Sequence, residues 1–188
     1  MKATCIVGSA RTNGSTAYLI DTIIKGMNQA GVETVKYCIG DCNINYCVGC
    51  KKCYVDGKCF QNDDVFQIVS DMVSSDYVVI ASPSYWAYLP GQLKVFFDRN
   101  TPYGDTNPRR LLAPSQAIKG IAIAVRAGVR KAENELILDA IQHYYGHFGI
   151  ETIKRISICE TDTLEDLVNK HRDKVEEIFK LGTEIAML

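Results

Sequence analysis

Four cysteines stand close together in the pattern Cys47-x2-Cys50-x2-Cys53-x5-Cys59. Gaps of two residues let the backbone curl so that successive thiolates converge, and a four-iron cube takes four thiolate ligands. The spacing therefore predicts that Cys47, Cys50, Cys53 and Cys59 hold a [4Fe-4S] cluster. Two alternatives stay open, because the same thiolates suit a structural zinc ion and the loop is also compatible with holding nothing.

The sequence has eight cysteines in all, and its first residues do not resemble an export signal, because the apolar stretch before Gly8 is too short. Disulfides are rare in the reducing cytoplasm, so metal or redox chemistry explains such a count better. Cys5, Cys38 and Cys159 lie in or beside apolar, strand-like runs, and we expect them to be small buried residues. These features predict a cytoplasmic protein.

A second candidate site follows the first apolar run, where the segment GSARTNGST spans residues 8–16. Hydroxyl groups, backbone N–H groups and the cation Arg11 gather there at the start of a predicted helix, which is a favourable place for an anion. Neither the ATP-binding P-loop nor the dinucleotide fingerprint is present, because no Lys-Ser or Lys-Thr pair follows the last glycine and Ala10 replaces the second. A single phosphate ester fits best, although Ser15 or Thr16 is also suited to simple helix capping.

Two further loops offer groups for a planar ligand. Ser82 to Pro90 carries Tyr85 and Trp86 after a predicted strand, where an aromatic side chain suits either ring stacking or a packing interface. The segment 126–128 adds the cation Arg126 and the flexible backbone of Gly128 after the next strand. The two loops together predict a place for a ring beside the phosphate site.

Short β-branched runs alternate with amphipathic segments, a pattern typical of an α/β fold with a parallel sheet and helices on both faces. The predicted strands are Ala3 to Val7, Glu33 to Cys38, Tyr77 to Ala81, Gly120 to Val125 and Thr152 to Ile158. The predicted helices are Thr16 to Gln29, Asp64 to Ser74, Pro90 to Arg99, Lys131 to Phe148 and about Thr163 to Ile185. In such a sheet ligands bind beyond the carboxyl ends of the strands, where both candidate loops lie.

Size and charge restrict the remaining possibilities. A chain of 188 residues with 47% hydrophobic content suits one domain over residues 1–188, with the cysteine-rich loop at about 39–62. The formal net charge is -1 and like charges do not cluster, so no nucleic acid or anionic membrane is expected as a partner. The apolar runs are also far shorter than a membrane span.

The segments GSARTNGST and ASPSYWAYLPGQLKVFFDR resemble the NADPH-dependent FMN reductase and iron–sulfur flavoprotein family over roughly the first hundred residues. The resemblance implies a flavodoxin-like, doubly wound five-stranded sheet of order 2-1-3-4-5 that binds FMN. It assigns the phosphate to Ser9, Arg11, Asn13, Ser15 and Thr16, and the ring to Pro83, Ser84, Tyr85 and Trp86, with Arg126 and Gly128 nearby. Ala10 departs from the family's usual proline, and the stretch after the fourth strand differs too much for substrate contacts to be transferred.

The resemblance also implies a flavin-dependent oxidoreductase. We expect electron transfer between a two-electron donor or acceptor and one-electron carriers, with NAD(P)H or a ferredoxin-like carrier as partner. The alternatives are a cluster-free NAD(P)H-dependent FMN or quinone reductase, and a non-enzymatic domain with a structural zinc loop. No catalytic acid or base is assigned, because hydride transfer needs none on the protein.

Family relatives also suggest a homodimer or tetramer with FMN near the subunit interface. Exposed aromatic residues are expected to contribute to it: Tyr85, Trp86, Tyr88 and Tyr103. Asp98 and Arg99 resemble a family signature and are interpreted as interface elements or as balancing charges at a helix end. His143 and His147 stand four apart on a predicted helix without a zinc-protease pattern, and are interpreted as ordinary surface positions.

Overall fold

The computed structural model describes residues 1–187. Its strands form one parallel sheet in the order β2-β1-β3-β4-β5, as the resemblance implied. The strands are β1 (Lys2–Val7), β2 (Glu33–Cys38), β3 (Tyr77–Pro83), β4 (Ile118–Val125) and β5 (Ile150–Ile158). Val7 at the end of β1 pairs with Cys38 and Ala81, so the loops that follow these strands leave the sheet at the same edge.

The helices lie between the strands as the apolar periodicity predicts. They are α1 (Ser15–Gln29), α2 (Cys53–Asp56), α3 (Val65–Val73), α4 (Gly91–Arg99), α5 (Lys131–Gly146), α6 (Leu164–Lys170) and α7 (Arg172–Glu184). Short 3₁₀ turns follow at Ile39–Asp41 and Ile185–Met187. The single helix predicted from about Thr163 toward Ile185 is therefore wrong, because the chain leaves helical geometry at His171, with φ -127° and ψ 37°.

The sheet separates two apolar layers. On one face, Ile68 of α3, Phe96 of α4 and Ile137 of α5 belong to a common buried cluster. On the other, Leu19 of α1 and Ile178 of α7 belong to a second. Burial on both faces explains why the central strands read as continuous apolar runs rather than as alternating ones.

Helices α1 and α7 approach unusually closely. A Cβ atom placed on Gly26 would lie 2.4 Å from the carbonyl oxygen of Phe179, and one on Gly182 would lie 2.5 Å from that of Ile23. Glycine is required at both positions because any larger side chain would push the helices apart. In the part of the chain described, no helix has the length and apolar character needed to cross a membrane.

Candidate functional site

The loop after β1 turns sharply into α1. The N–H of Gly8 donates to the carbonyl oxygen of Ala81 at 2.8 Å, and a Cβ on Gly8 would lie 2.6 Å from Cδ2 of Leu93. The hydroxyl oxygen of Ser9 accepts from the N–H of Arg11 at 3.0 Å. This packing holds the loop against the sheet and leaves the start of α1 free to face a ligand.

A pocket opens at this start, and the loops after β3, β4 and β5 complete its wall. It brings together most of the residues predicted for cofactor binding: Ser9, Arg11, Ser15, Thr16, Pro83, Ser84, Tyr85 and Arg126. Asn13, Trp86 and Gly128 do not line it. Hydroxyl groups, a cation and a helix start thus converge at one place, which is the chemistry expected for a phosphate group.

Arg11 and Arg126, the two cations of this pocket, differ in whether a carboxylate of the protein already pairs with their charge. Arg126 forms an ion pair with Glu133, and its Nη1 donates to the carbonyl oxygen of Arg130 at 2.9 Å. Arg11 is exposed and has no carboxylate partner among residues 1–187. Arg11 is therefore the better placed of the two to neutralise an anion, whereas the charge of Arg126 is largely taken up within the protein.

Sequence reasoning missed two pocket residues, Thr161 and Asp162, which follow β5. The hydroxyl of Thr161 donates to the carbonyl oxygen of Cys159 at 3.1 Å, and the residue is almost fully buried. The signal was available, because the loop after a fifth parallel strand must end at the same edge as the others.

A second cavity of about 450 Å³ adjoins the first through Tyr85, which lines both. Its other walls come from the start of the cysteine-rich loop, including Gly40, Cys42 and Tyr46. A Cβ on Gly40 would lie 2.9 Å from Cα of Ala10, so the two loops touch along their backbones. The volume lies in the range of small-molecule pockets and suits a flat ring that extends from the phosphate position.

The aromatic turn between β3 and α4 has an unusual backbone. Tyr85 and Tyr88 pair across it, with N–H to O distances of 2.9 and 3.1 Å. Trp86 and Ala87 at its tip have positive φ angles of 52° and 64°, a conformation that favours glycine and costs energy for other residues. Trp86 is fully exposed and lines a neighbouring cavity together with Gly128.

All four cysteines of the predicted cluster motif line one pocket: Cys47, Cys50, Cys53 and Cys59. Burial and then the neighbouring thiols, that of Cys59 first, raise the pKa of Cys53. The spare thiol is different, because Sγ of Cys42 donates to the carbonyl oxygen of Cys38 at 3.3 Å and burial raises its pKa to about 11. Cys42 lines the ring-sized cavity and not the cysteine pocket.

Within residues 1–187, no three His, Cys, Asp or Glu side chains come close enough together to hold a metal ion. Tetrahedral zinc with bonds of about 2.3 Å would need thiolates roughly 3.8 Å apart. A four-iron cube binds each thiolate at a different iron, and four thiols around one pocket are the donor set that it takes.

Arg99 at the end of α4 holds the cysteine loop in place through hydrogen bonds on the buried side of the loop. Its guanidinium donates to the carbonyl oxygen of Asn45 at 2.7 Å, to Oδ1 of Asp63 at 3.1 Å and to Sγ of Cys59 at 3.6 Å. The interpretation of Arg99 as a subunit-interface residue is therefore wrong, since the residue is buried beneath the loop. Asn107 adds a hydrogen bond of 3.0 Å from Nδ2 to the carbonyl oxygen of Cys53.

Comparison with known proteins agrees with this geometry. The family model described as NADPH-dependent FMN reductase matches residues 1–163 of the chain. The chain belongs to this family. The resemblance inferred from the two loop motifs is thereby confirmed.

Several relatives that the chain resembles in sequence are named iron–sulfur flavoproteins. One from Archaeoglobus fulgidus is 38% identical over 134 residues, which is 71% of this chain and 58% of that protein. One from Methanosarcina thermophila is 28% identical, over 93% of this chain and 100% of that protein. A third, from Methanocaldococcus jannaschii, is 35% identical over 54% of this chain and 53% of its own length. The chain thus spans little more than half of the first and third.

Solved structures support the fold. An NAD(P)H:quinone oxidoreductase from Methanothermobacter marburgensis superposes with a TM-score of 0.72 at 12% identity, over 98% of this chain and 96% of that one. An archaeal flavodoxin superposes with a TM-score of 0.59 at 16% identity, over 100% of this chain and 97% of that one. At such low identity these likenesses establish the flavodoxin-like architecture alone.

Proposed function

We propose that the protein is an FMN-dependent oxidoreductase that passes electrons between a two-electron donor or acceptor and one-electron carriers, through a [4Fe-4S] cluster in its cysteine loop. One observation carries the proposal: the phosphate-type pocket and the four-cysteine pocket lie on loops that leave the same edge of the sheet. The names of the related iron–sulfur flavoproteins support the same reading.

FMN fits the two adjoining cavities. Its phosphate would be held by Ser9, Ser15 and Thr16 with the charge of Arg11, and the ring-sized cavity continues past Tyr85. Membership of the FMN reductase family supports this choice. When bound, a flavin supplies the ability to accept a hydride as two electrons and to release them singly. The residues of this chain bind and orient it, and none is needed as an acid or base.

The cysteine loop is placed to continue the electron path. Tyr46 lines the ring-sized cavity, and the next residue, Cys47, lines the cysteine pocket. One step along the backbone therefore connects the two sites. Cys47 and Cys50 are exposed, so a carrier protein can approach a cluster there without crossing the protein interior.

We propose a ferredoxin-like carrier or NAD(P)H as the electron partner and a homodimer or tetramer as the working assembly. Exposed apolar side chains around the cysteine pocket, namely Tyr46, Val48 and Phe60, supply a contact surface. Tyr85, Trp86 and Tyr88 are also exposed, which supports a flavin site near a subunit boundary. Tyr103 was expected to join them, but it is buried at 2% exposure in the core and is excluded.

None of the eight cysteines, all within residues 1–187, is in a disulfide. This state agrees with a reducing compartment, and we propose the cytoplasm as the place of action.

The visible spectrum of anaerobically purified protein tests the central proposal, together with mass spectrometry of the released cofactor and assays for iron and acid-labile sulfide. FMN with four iron and four sulfide per chain, and broad brown absorbance over the flavin bands, is expected. FMN without iron would favour the cluster-free FMN or quinone reductase. One zinc per chain and no flavin would replace both with the non-enzymatic zinc domain.

A further inference from the structure

His143 and His147 form a close pair at the carboxyl end of α5. Their Nε2 atoms are 3.2 Å apart, and their rings meet edge to face with centroids 4.8 Å apart. His143 is exposed and His147 is half-buried. Two imidazole nitrogens thus converge on one point at the protein surface, one helical turn apart.

A carboxylate from a distant part of the chain orients this pair. Nδ1 of His147 lies 2.8 Å from Oδ1 of Asp105, and the N–H of Asp105 donates to the carbonyl oxygen of His147 at 2.9 Å. An ionised carboxylate has no proton to donate, so Oδ1 of Asp105 accepts this hydrogen bond. Nδ1 of His147 therefore carries the proton, and its Nε2 presents a lone pair toward His143.

We propose that His143 and His147 are the two protein ligands of a binding site for a zinc-class divalent transition-metal ion, with Asp105 as the group that orients His147. Bonds of about 2.05 Å at a tetrahedral angle would place two ligand nitrogens roughly 3.3 Å apart. The observed separation is 3.2 Å. A carboxylate bound to the far nitrogen is the usual partner of a metal-binding histidine, because it fixes the tautomer and the ring orientation.

In the metal-free pair, neutral His143 carries the proton of the Nε2–Nε2 contact. When the ion binds, this proton moves through solvent to Nδ1 of His143, so that both Nε2 lone pairs face the ion and the protein neither gains nor loses a proton. Neutral imidazole is a good ligand for zinc, copper and nickel, whereas magnesium and calcium prefer oxygen donors. Within the described residues no third His, Cys, Asp or Glu joins the pair, so water fills the other positions. The site is therefore open and exchangeable, unlike a closed structural zinc site.

Occupancy would also strengthen the segment that supports the cysteine loop. Asp105 belongs to the same turn-rich segment as Asn107, whose side chain holds the carbonyl oxygen of Cys53. An ion that binds the folded state alone stabilises it by mass action. The metal site itself requires neither the flavin nor the cluster, so the experiment that tests it can fail without affecting the proposed function.

Zinc titration of anaerobically purified, full-length protein labelled with ¹³C at the histidine rings tests the site. The chain has three histidines, so the third, His171 at the carboxyl end of α6, serves as an internal reference. The ring signals of His143 and His147 should shift together and saturate, while that of His171 stays in place. Zinc taken up by the cysteine loop would leave these two signals unchanged and is thus distinguished from binding at the pair.

Variants give the matched comparison. His143→Gln and His147→Gln should each abolish the saturable shift of the remaining histidine, and Asp105→Asn should weaken zinc binding about tenfold or more. Asp173→Asn, which removes an exposed carboxylate from the start of α7, should leave the affinity unchanged. Parallel shifts of all three histidines, or equal effects of Asp105→Asn and Asp173→Asn, would overturn the proposal.

Discussion

The guanidinium of Arg99 joins Asp63 and Cys59, with Nη2 at 3.1 Å from Oδ1 of Asp63 and 3.6 Å from Sγ of Cys59. The side chains of Arg99 and Asp63 are each 1% exposed. A buried charge without a partner is costly, so the pair depends on both members being present. One end of the cysteine loop is thereby fastened to α4 through a charge pair that water does not reach.

Arg99→Met should destabilise the protein by about 3–5 kcal/mol, because it leaves the carboxylate of Asp63 buried without its partner. Urea unfolding followed by circular dichroism measures the loss. Arg99→Lys keeps the charge but loses the two-pronged contact, so its effect should be smaller. A free energy of unfolding for Arg99→Met within about 1 kcal/mol of the wild type would contradict this role.

The same pair predicts a pH dependence. Burial alone would raise the pKa of Asp63, but the hydrogen bonds and charge of Arg99 lower it below its usual value. A lowered folded-state pKa gives stability that is present above the unfolded pKa, about 3.9, and is lost as the pH falls through the folded value. The stability gap between wild type and Arg99→Met should therefore narrow as the pH falls, first because the unpaired, buried Asp63 of the variant takes up a proton at its raised pKa, and below about pH 4 because the wild type loses the ion pair. Unfolding curves across this range measure it, and a gap that widens in acid would refute the assignment.

The cysteine motif gives a prediction with a control inside the same loop. Cys50→Ala or Cys53→Ala should remove iron and acid-labile sulfide while FMN stays bound, because neither residue lines the phosphate-type pocket or the ring-sized cavity. Cys42→Ala and the remote Cys159→Ala should keep the iron. Transfer to one-electron acceptors should slow far more in Cys50→Ala than reduction of the flavin by a two-electron donor. Loss of iron in Cys42→Ala with retention in Cys50→Ala would mean that the ligands are assigned wrongly.

The sheet and the phosphate loop were predictable because their signals are local. An apolar run, a glycine turn and a helix start lie within the first twenty residues, and parallel strands must deliver their loops to one edge. The cysteine spacing is local too, so the thiols could be expected to share a pocket. The break at His171 was not predictable, because the apolar periodicity continues through it.

The contacts that hold the site in place were not predictable, since they depend on the path of the chain. Arg99 meets Asp63 across 36 residues, and His147 meets Asp105 across 42. Neither partner stands out in the sequence, because single acidic residues are common on surfaces. The prediction that Tyr103 is exposed was wrong for the same reason. An aromatic residue in a loop of prolines and polar residues suggests exposure, yet the ring of Tyr103 packs against that of Phe66, with centroids 6.3 Å apart.

Of the two cations in the phosphate-type pocket, Arg126 pairs with Glu133, whereas Arg11 has no carboxylate partner among the described residues. Arg11→Ala should weaken FMN binding by roughly 1.5–3 kcal/mol, the worth of one charge-assisted contact. Arg172→Ala removes another exposed cation, from α7, and should leave the dissociation constant unchanged. Flavin fluorescence titration of the cofactor-free protein measures both, and equal affinities for the two variants would exclude Arg11 from the phosphate site.

The exposed position of Trp86 suits a contact with another subunit. It is fully exposed at the tip of a turn whose backbone is strained at both Trp86 and Ala87, and such strain persists where it serves a function. Ala87→Gly relieves strain and keeps the indole, so it should raise the free energy of unfolding by about 1 kcal/mol and leave the assembly intact. Trp86→Ala should instead weaken self-association measured by analytical ultracentrifugation, because a large apolar anchor is lost from the proposed subunit boundary. Equal sedimentation of wild type, Ala87→Gly and Trp86→Ala at every concentration would show that the indole is not part of a subunit interface.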